Sequence, residues 1–75
     1  MYYPINRIIS VCNELLQTNQ TGASTSELIA AAFVLDRMEY LPHGYTVAQA
    51  WECLGEWQGT VEVIRYRYMY LINEY

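Results

Sequence analysis

An unbroken apolar run from Leu28 to Leu35, which includes three consecutive alanines, constrains the fold of this chain more than any other feature. Ser24 and Glu27, three residues apart, form the capping-box pattern that begins a helix. A helix that is apolar on all sides usually lies at the centre of a domain. The sequence therefore predicts a central helix that starts after Ser24 and continues to about Tyr40.

Two further helices are predicted, one before and one after the central helix. Pro4 suits the first position of a helix, and apolar residues at steps of three and four follow it to about Gln17. Thr46 and Gln49 repeat the capping-box pattern and precede a second amphipathic stripe. Gly59 is interpreted as the residue that ends this helix.

Residues 61–75 carry two competing patterns. A helical spacing is shared by Val61, Ile64, Tyr68, Leu71 and Tyr75. A strand-like alternation is shared by Ile64, Tyr66, Tyr68, Tyr70 and Ile72. Fifteen residues are long for a strand, so we predict a helix capped by Thr60, with a β-strand that pairs with its twin across a dimer as the alternative. The expected fold is all-α: one domain over residues 1–75, a compact bundle of about four helices.

Aromatic and aliphatic side chains make up a large share of so short a chain. Hydrophobic residues are 53% of the 75 residues, and eight residues are tyrosines. A small domain buries only about 60% of the surface that its unfolded chain exposes, so the core cannot cover all of this area. We therefore expect an aromatic surface that binds a protein partner, and we expect a homodimer.

A helical wheel of residues 61–75 locates this surface. The residues at helical spacing fall on one side, which can dock on the core. Tyr66 and Tyr70 fall on the other side, beside Val63. Arg65 and Arg67 flank them and could pair with Glu62 or Glu74 of another copy, although surface ion pairs alone add little. The candidate interface consists of Glu62, Val63, Arg65, Tyr66, Arg67 and Tyr70.

Residues 46–64 resemble a bacterial or phage helix-turn-helix motif. The resemblance is carried by Thr46, Leu54, Gly55, Thr60, Val61 and Ile64. It implies a helix-turn-helix-like second half of the bundle and, as an alternative function, a DNA-binding transcription regulator. Trp51 departs from the motif, because the family usually has a small alanine there. The positions that would face DNA include Gln58, Glu62, Val63 and Tyr66, whereas base recognition favours Arg, Lys, Asn and Gln.

The charge of the chain argues against a polyanionic partner. The formal net charge is −4, lysine is absent, and the cations are four arginines. Nucleic-acid binding draws its affinity from Lys and Arg that neutralise phosphates, so nucleic acid is an unfavourable partner. The same shortage of cations argues against an anionic membrane surface, and no apolar run is long enough to span a membrane.

No residue pattern predicts catalysis, a metal or a cofactor. His43 is the only histidine, and no acidic residue stands near it in sequence to orient it. Cys12 and Cys53 lack the short spacing of zinc ligands and are expected to be reduced thiols. The N-terminus lacks a basic region followed by an apolar one, so a cytoplasmic location is expected. The leading hypothesis is a non-enzymatic interaction module that regulates or inhibits a larger bacterial or phage machine.

Overall fold

A computed structural model describes residues 3–72, and these residues form a bundle of four α-helices without a β-strand. The helices are α1 (Ile5–Thr18), α2 (Thr25–Leu35), α3 (Val47–Cys53) and α4 (Trp57–Val63). A 3₁₀ turn at Met38–Tyr40 follows α2. After α4 the chain continues as a π-helical turn at Ile64–Tyr68 and a 3₁₀ turn at Met69–Leu71. The all-α prediction is confirmed.

Helix α1 covers one side of the core with an amphipathic stripe. Its buried residues are Ile5, Ile8, Ile9, Val11, Cys12 and Leu15. The spacing of these residues places them on one face of a helix, which is why the pattern was legible in the sequence. Pro4 lies one position before the first helical residue, and Asn19 ends the helix in the left-handed conformation with φ 58°.

Helix α2 is the central helix that the apolar run predicts. Ser24 Oγ accepts a hydrogen bond from the Glu27 amide, and the Ser24 amide donates to Glu27 Oε1, so the predicted capping box is formed. Ile29, Ala30, Ala31, Ala32 and Val34 are each at most 1% exposed. Helices α1, α3 and α4 all contact α2.

The end of α2 differs from the prediction. The helix stops at Leu35, five residues before Tyr40, because Asp36 takes a left-handed conformation with φ 56°. The Asp36 amide then donates to the Phe33 carbonyl, and the Arg37 amide donates to the Ala32 carbonyl. These two bonds satisfy carbonyls that would otherwise lack a partner at the end of the helix.

Helices α3 and α4 are joined by a turn centred on Gly55. The predicted Thr46–Gln49 capping box is formed, with both hydrogen bonds at 3.1 Å. Gly55 has φ +56°, a conformation that glycine adopts without steric cost. The prediction that Gly59 ends α3 and that Thr60 caps the next helix is wrong, since both lie inside α4. The chain turns earlier because Gly55 supplies the left-handed residue.

We call residues 61–72, which comprise the end of α4 and the two turns after it, the C-terminal segment. It contains no β-strand, so the β-strand alternative is wrong for these residues. Val61 and Ile64 are buried, and Tyr68 and Leu71 are half-buried, as the helical spacing predicts. Ile72 is also buried. Glu74 and Tyr75, which entered the sequence-based reasoning, lie outside the described residues.

The nearly buried carboxylate of Glu27 bonds to three parts of the chain: the N-terminal residue Tyr3, helix α1 and the start of α2. It accepts hydrogen bonds from the Ser24 amide at 3.0 Å, from Arg7 Nε at 3.3 Å and from the Tyr3 hydroxyl at 3.5 Å. The Tyr3 ring also packs edge-on against Trp57, the first residue of α4, at 6.0 Å between centroids. The Ser24 amide and, secondarily, the charge of Arg7 lower the pKa of Glu27, against the opposing effect of burial.

Replacing Glu27 with Gln tests this arrangement. Gln can still complete the capping box, so the change removes mainly the charge paired with Arg7, and we expect a loss of about 1 kcal/mol in the free energy of unfolding at pH 7. Because the folded-state pKa is lowered, the wild-type advantage is present at neutral pH and is lost as the pH falls below about 4.5. Urea unfolding from pH 7 to pH 3 measures both effects.

Glu56→Gln is the matched control, because Glu56 is exposed and has no partner among the described residues. Its unfolding free energy should stay within about 0.5 kcal/mol of wild type. A Glu27→Gln deficit that persists unchanged at pH 3 would show that charge is not the cause.

Candidate protein-interaction surface

The six residues that the sequence predicts as an interface all lie on the exposed side of the C-terminal segment. We call Val63, Tyr66, Arg67 and Tyr70 the aromatic surface; Glu62 and Arg65 lie next to it and are also exposed. Tyr66 is 88% exposed, Tyr70 76% and Val63 40%. The two tyrosine rings are the most exposed large hydrophobic groups among residues 3–72.

The opposite side of the same segment fixes the position of the aromatic surface. Val61 is 1% exposed and Ile64 is fully buried, so these residues anchor the backbone on the core. The π-helical turn begins at Ile64 and carries Tyr66 and Arg67 on its outer side. Tyr70 follows in the 3₁₀ turn, and its ring lies 6.4 Å from that of half-buried Tyr68. The tyrosines therefore lie on the exposed side of a backbone whose other side is anchored in the core.

Arg65 makes a contact within its own chain that the sequence pattern did not indicate. Its Nη1 donates a hydrogen bond to the Phe33 carbonyl at 3.1 Å. Helix α2 has no basic residue in its own last turn, and a cation at this end stabilises the partial negative charge of the carbonyls. Arg65 is thus engaged within its own chain, where it fastens the C-terminal segment to the end of α2.

Arg67 and Glu62 are exposed and have no hydrogen-bond or ion-pair partner among residues 3–72. Their charged groups are therefore available for contact with another molecule. A charged pair at the rim of an interface contributes more to orientation and association rate than to affinity. The tyrosine rings would therefore supply the binding energy of such a contact, and the charges would select the partner.

A groove lies next to the aromatic surface, and the sequence patterns did not predict it. It has a volume of about 370 Å³ and is lined by Phe33, Trp51, Val61, Glu62 and Arg65. The rings of Phe33 and Trp51 meet edge to face at 5.0 Å. These residues come from α2, α3, α4 and the π-helical turn, and their proximity depends on tertiary packing. The one available signal was Trp51, a large ring at a position where a small residue was expected.

A second exposed apolar group lies at the start of α3. Tyr45 is 38% exposed and Val47 50%. An open cavity of about 510 Å³ is lined by Gly44, Tyr45, Gln49, Glu52 and Cys53. We call Tyr45, Gln49, Glu52 and Cys53 the α3 face. Gln49 and Glu52 lie on the other side of α3 from Ala50 and Leu54, which are buried in the core, whereas Val47 is three and seven residues away from those two.

The titratable groups of the described residues do not form a reactive cluster. His43 is exposed in the loop before α3. Cys12 is completely buried, its Sγ donates to the Ala31 carbonyl at 3.8 Å, and burial raises the pKa of its thiol to about 12. Cys53 is exposed, and the two cysteines are not bonded to each other. Among residues 3–72, no three His, Cys, Asp or Glu side chains are grouped so that they could hold a metal ion.

No helix within residues 3–72 combines the length and the apolar character needed to cross a membrane. No protein-family model, curated protein or solved structure matches the chain.

Proposed function

We propose that this chain is a small non-enzymatic protein-interaction module that forms a homodimer and binds a protein partner through its aromatic surface. A role as a regulator or inhibitor of a larger bacterial or phage machine fits this size and chemistry. The observation that carries the proposal is the exposure of Tyr66 and Tyr70, at 88% and 76%, on a segment whose other side is anchored in the core.

Leaving these two rings in water is unfavourable, because their apolar area stays unburied. Tyrosine and arginine are enriched where interfaces bind most strongly, since each combines a large contact area with a polar group at its end. Tyr66, Tyr70 and Arg67 place that combination on one short stretch of backbone. The backbone is already ordered by Val61 and Ile64, so binding would require little further loss of conformational entropy.

Truncating both rings tests the proposal. The double variant Tyr66→Ala/Tyr70→Ala should weaken self-association by about 10-fold to 100-fold, because truncating a tyrosine that dominates an interface costs about 1 kcal/mol or more. Sedimentation over a concentration series measures the dissociation constant. The thermal midpoint of the monomer should barely change, since exposed substitutions alter stability by about 0.5 kcal/mol at most.

The matched control is Tyr66→Phe/Tyr70→Phe, which keeps both rings and removes only the hydroxyls. This variant should associate nearly as well as wild type. A wild-type chain that stays monomeric at high micromolar concentration would rule out the homodimer. The partner is tested separately by immobilising wild type and the double alanine variant in lysate of the native host. Capture of the same proteins by both would rule out the aromatic surface as the binding site.

A second candidate function follows from the geometry of α3, Gly55 and α4. The inward residues of this pair, Ala50, Leu54, Val61 and Ile64, are all buried, which fits the packing expected of a helix-turn-helix unit. A DNA-binding regulator is therefore the alternative to the interaction module. Its weakness is the composition of the exposed side, where Glu62 and Val63 occupy positions that would meet the DNA.

Fluorescence anisotropy with labelled duplex DNA at low salt decides between the two functions. We expect no binding at protein concentrations that give full self-association, because the chain has few cations with which to neutralise phosphates. Specific retention of DNA that falls steeply with added salt would establish the alternative.

A further inference from the structure

The aromatic surface continues backwards along α4, where Glu62 and Gly59 are also exposed. Steps of three and four residues separate these positions, and such steps place side chains along one side of a helix. We call this side of the molecule the exposed stripe, and it consists of Gly59, Glu62, Val63, Tyr66, Arg67 and Tyr70. It is roughly 17 Å long at a rise of about 1.5 Å per residue.

The two ends of the exposed stripe carry opposite charges. Glu62 lies in its first half, and exposed Glu56 lies one turn before Gly59. Arg67 lies in its second half and, like Glu62, has no hydrogen-bond or ion-pair partner within residues 3–72. Arg65 is bonded to the Phe33 carbonyl at the end of α2. The stripe is therefore acidic towards its N-terminal end and basic towards its C-terminal end.

We propose that two copies pair antiparallel along their exposed stripes, about a two-fold axis that passes between Ile64 and Arg65 of each copy. The inference rests on the self-association proposed above and identifies which residues meet. Positions at equal distances from the axis then face each other: Gly59 with Tyr70, Glu62 with Arg67 and Val63 with Tyr66. Because one surface meets itself, a single two-fold axis makes every contact twice.

Charge selects the antiparallel arrangement over the other ways in which the chain could pair with itself. A parallel pairing would place Glu62 against Glu62 and Arg67 against Arg67, and like charges in contact are unfavourable. The α3 face contains Glu52 and none of the four arginines, so its pairing with a second α3 face would oppose two carboxylates. In the antiparallel stripe, each Glu62 instead meets an arginine.

Gly59 gives an independent reason to place a second copy here. It lies inside α4, where glycine destabilises a helix relative to alanine. Its φ is not positive, and within residues 3–72 no atom beyond the adjoining residues and the backbone of α4 lies within 4 Å of where a Cβ would be. Neither the backbone nor the packing of its own chain therefore requires a glycine. In the proposed pair, the missing side chain leaves room for the Tyr70 ring of the second copy.

A charge-reversal series tests the pairing. A contact along a single stripe falls below about 1,200 Å² of buried area, so we expect a dissociation constant in the micromolar range. Arg67→Glu and Glu62→Arg should each weaken association about tenfold, because each opposes like charges at two places. The double variant Glu62→Arg/Arg67→Glu should return to within about threefold of wild type, since every reversed charge then meets its opposite. Sedimentation at low salt, where surface charges are least screened, measures the three variants.

Glu39→Arg is the matched control for Glu62→Arg, because it makes the same change in net charge at an exposed position on another side of the bundle. It should leave the dissociation constant within about twofold of wild type. Equal weakening by both arginine variants, or a double charge variant as weak as the single ones, would overturn the pairing. Weakening by Tyr66→Ala/Tyr70→Ala but by neither charge variant would overturn it while leaving the aromatic surface as the interface. A wild type that never associates would overturn both proposals.

Gly59→Gln separates association from stability. Glutamine is a better helix former than glycine, so the thermal midpoint of dilute protein should rise by about 2 °C or more. The same side chain would occupy the space of the Tyr70 ring of the second copy, so self-association should weaken about tenfold. Gly22→Gln, at an exposed loop glycine that also has open space around it, should leave association unchanged. A Gly59→Gln variant that associates as tightly as wild type would contradict the proposed pairing.

Discussion

The close packing around the alanines of α2 is the constraint on which the rest of the structure depends. Ala30, Ala31 and Ala32 are fully buried, and their small side chains allow α1, α3 and α4 to approach the same helix. A central helix of eleven residues cannot, however, accommodate much more of the chain around it. A core of this kind is closely packed but small, so some apolar side chains remain exposed on the surface.

The apolar side chains that the core does not bury are not distributed evenly over the surface, because the C-terminal segment has two distinct sides. Val61 and Ile64 are committed to the core, and Arg65 binds the carbonyl of Phe33 at the end of α2. These contacts hold the backbone from one side and leave Tyr66 and Tyr70 facing water. The exposure of the rings is thus a consequence of how the segment is anchored, and the proposed interface follows from the same packing that orders the bundle.

Local patterns in the sequence predicted the helices and the exposed tyrosines, and tertiary packing determined the rest. The capping residues Ser24 and Thr46 could be predicted because a capping box joins residues only three positions apart in the sequence. The early end of α2 at Asp36 could not be predicted from the sequence, since Asp takes the left-handed conformation only occasionally. The partner of Arg65 and the groove beside Trp51 join residues distant in sequence, so spacing along the chain could not reveal them.

We propose, as the central claim, that this chain self-associates through the surface formed by Tyr66 and Tyr70. Fluorine NMR of protein labelled with 3-fluorotyrosine tests it most directly, with resonances assigned from the Tyr66→Phe and Tyr70→Phe variants. We predict that the two resonances shift together as the concentration rises, while that of Tyr40, whose hydroxyl bonds to Asn19 within the bundle, stays constant. Fixed resonances for Tyr66 and Tyr70 over a range in which the protein associates would contradict the account.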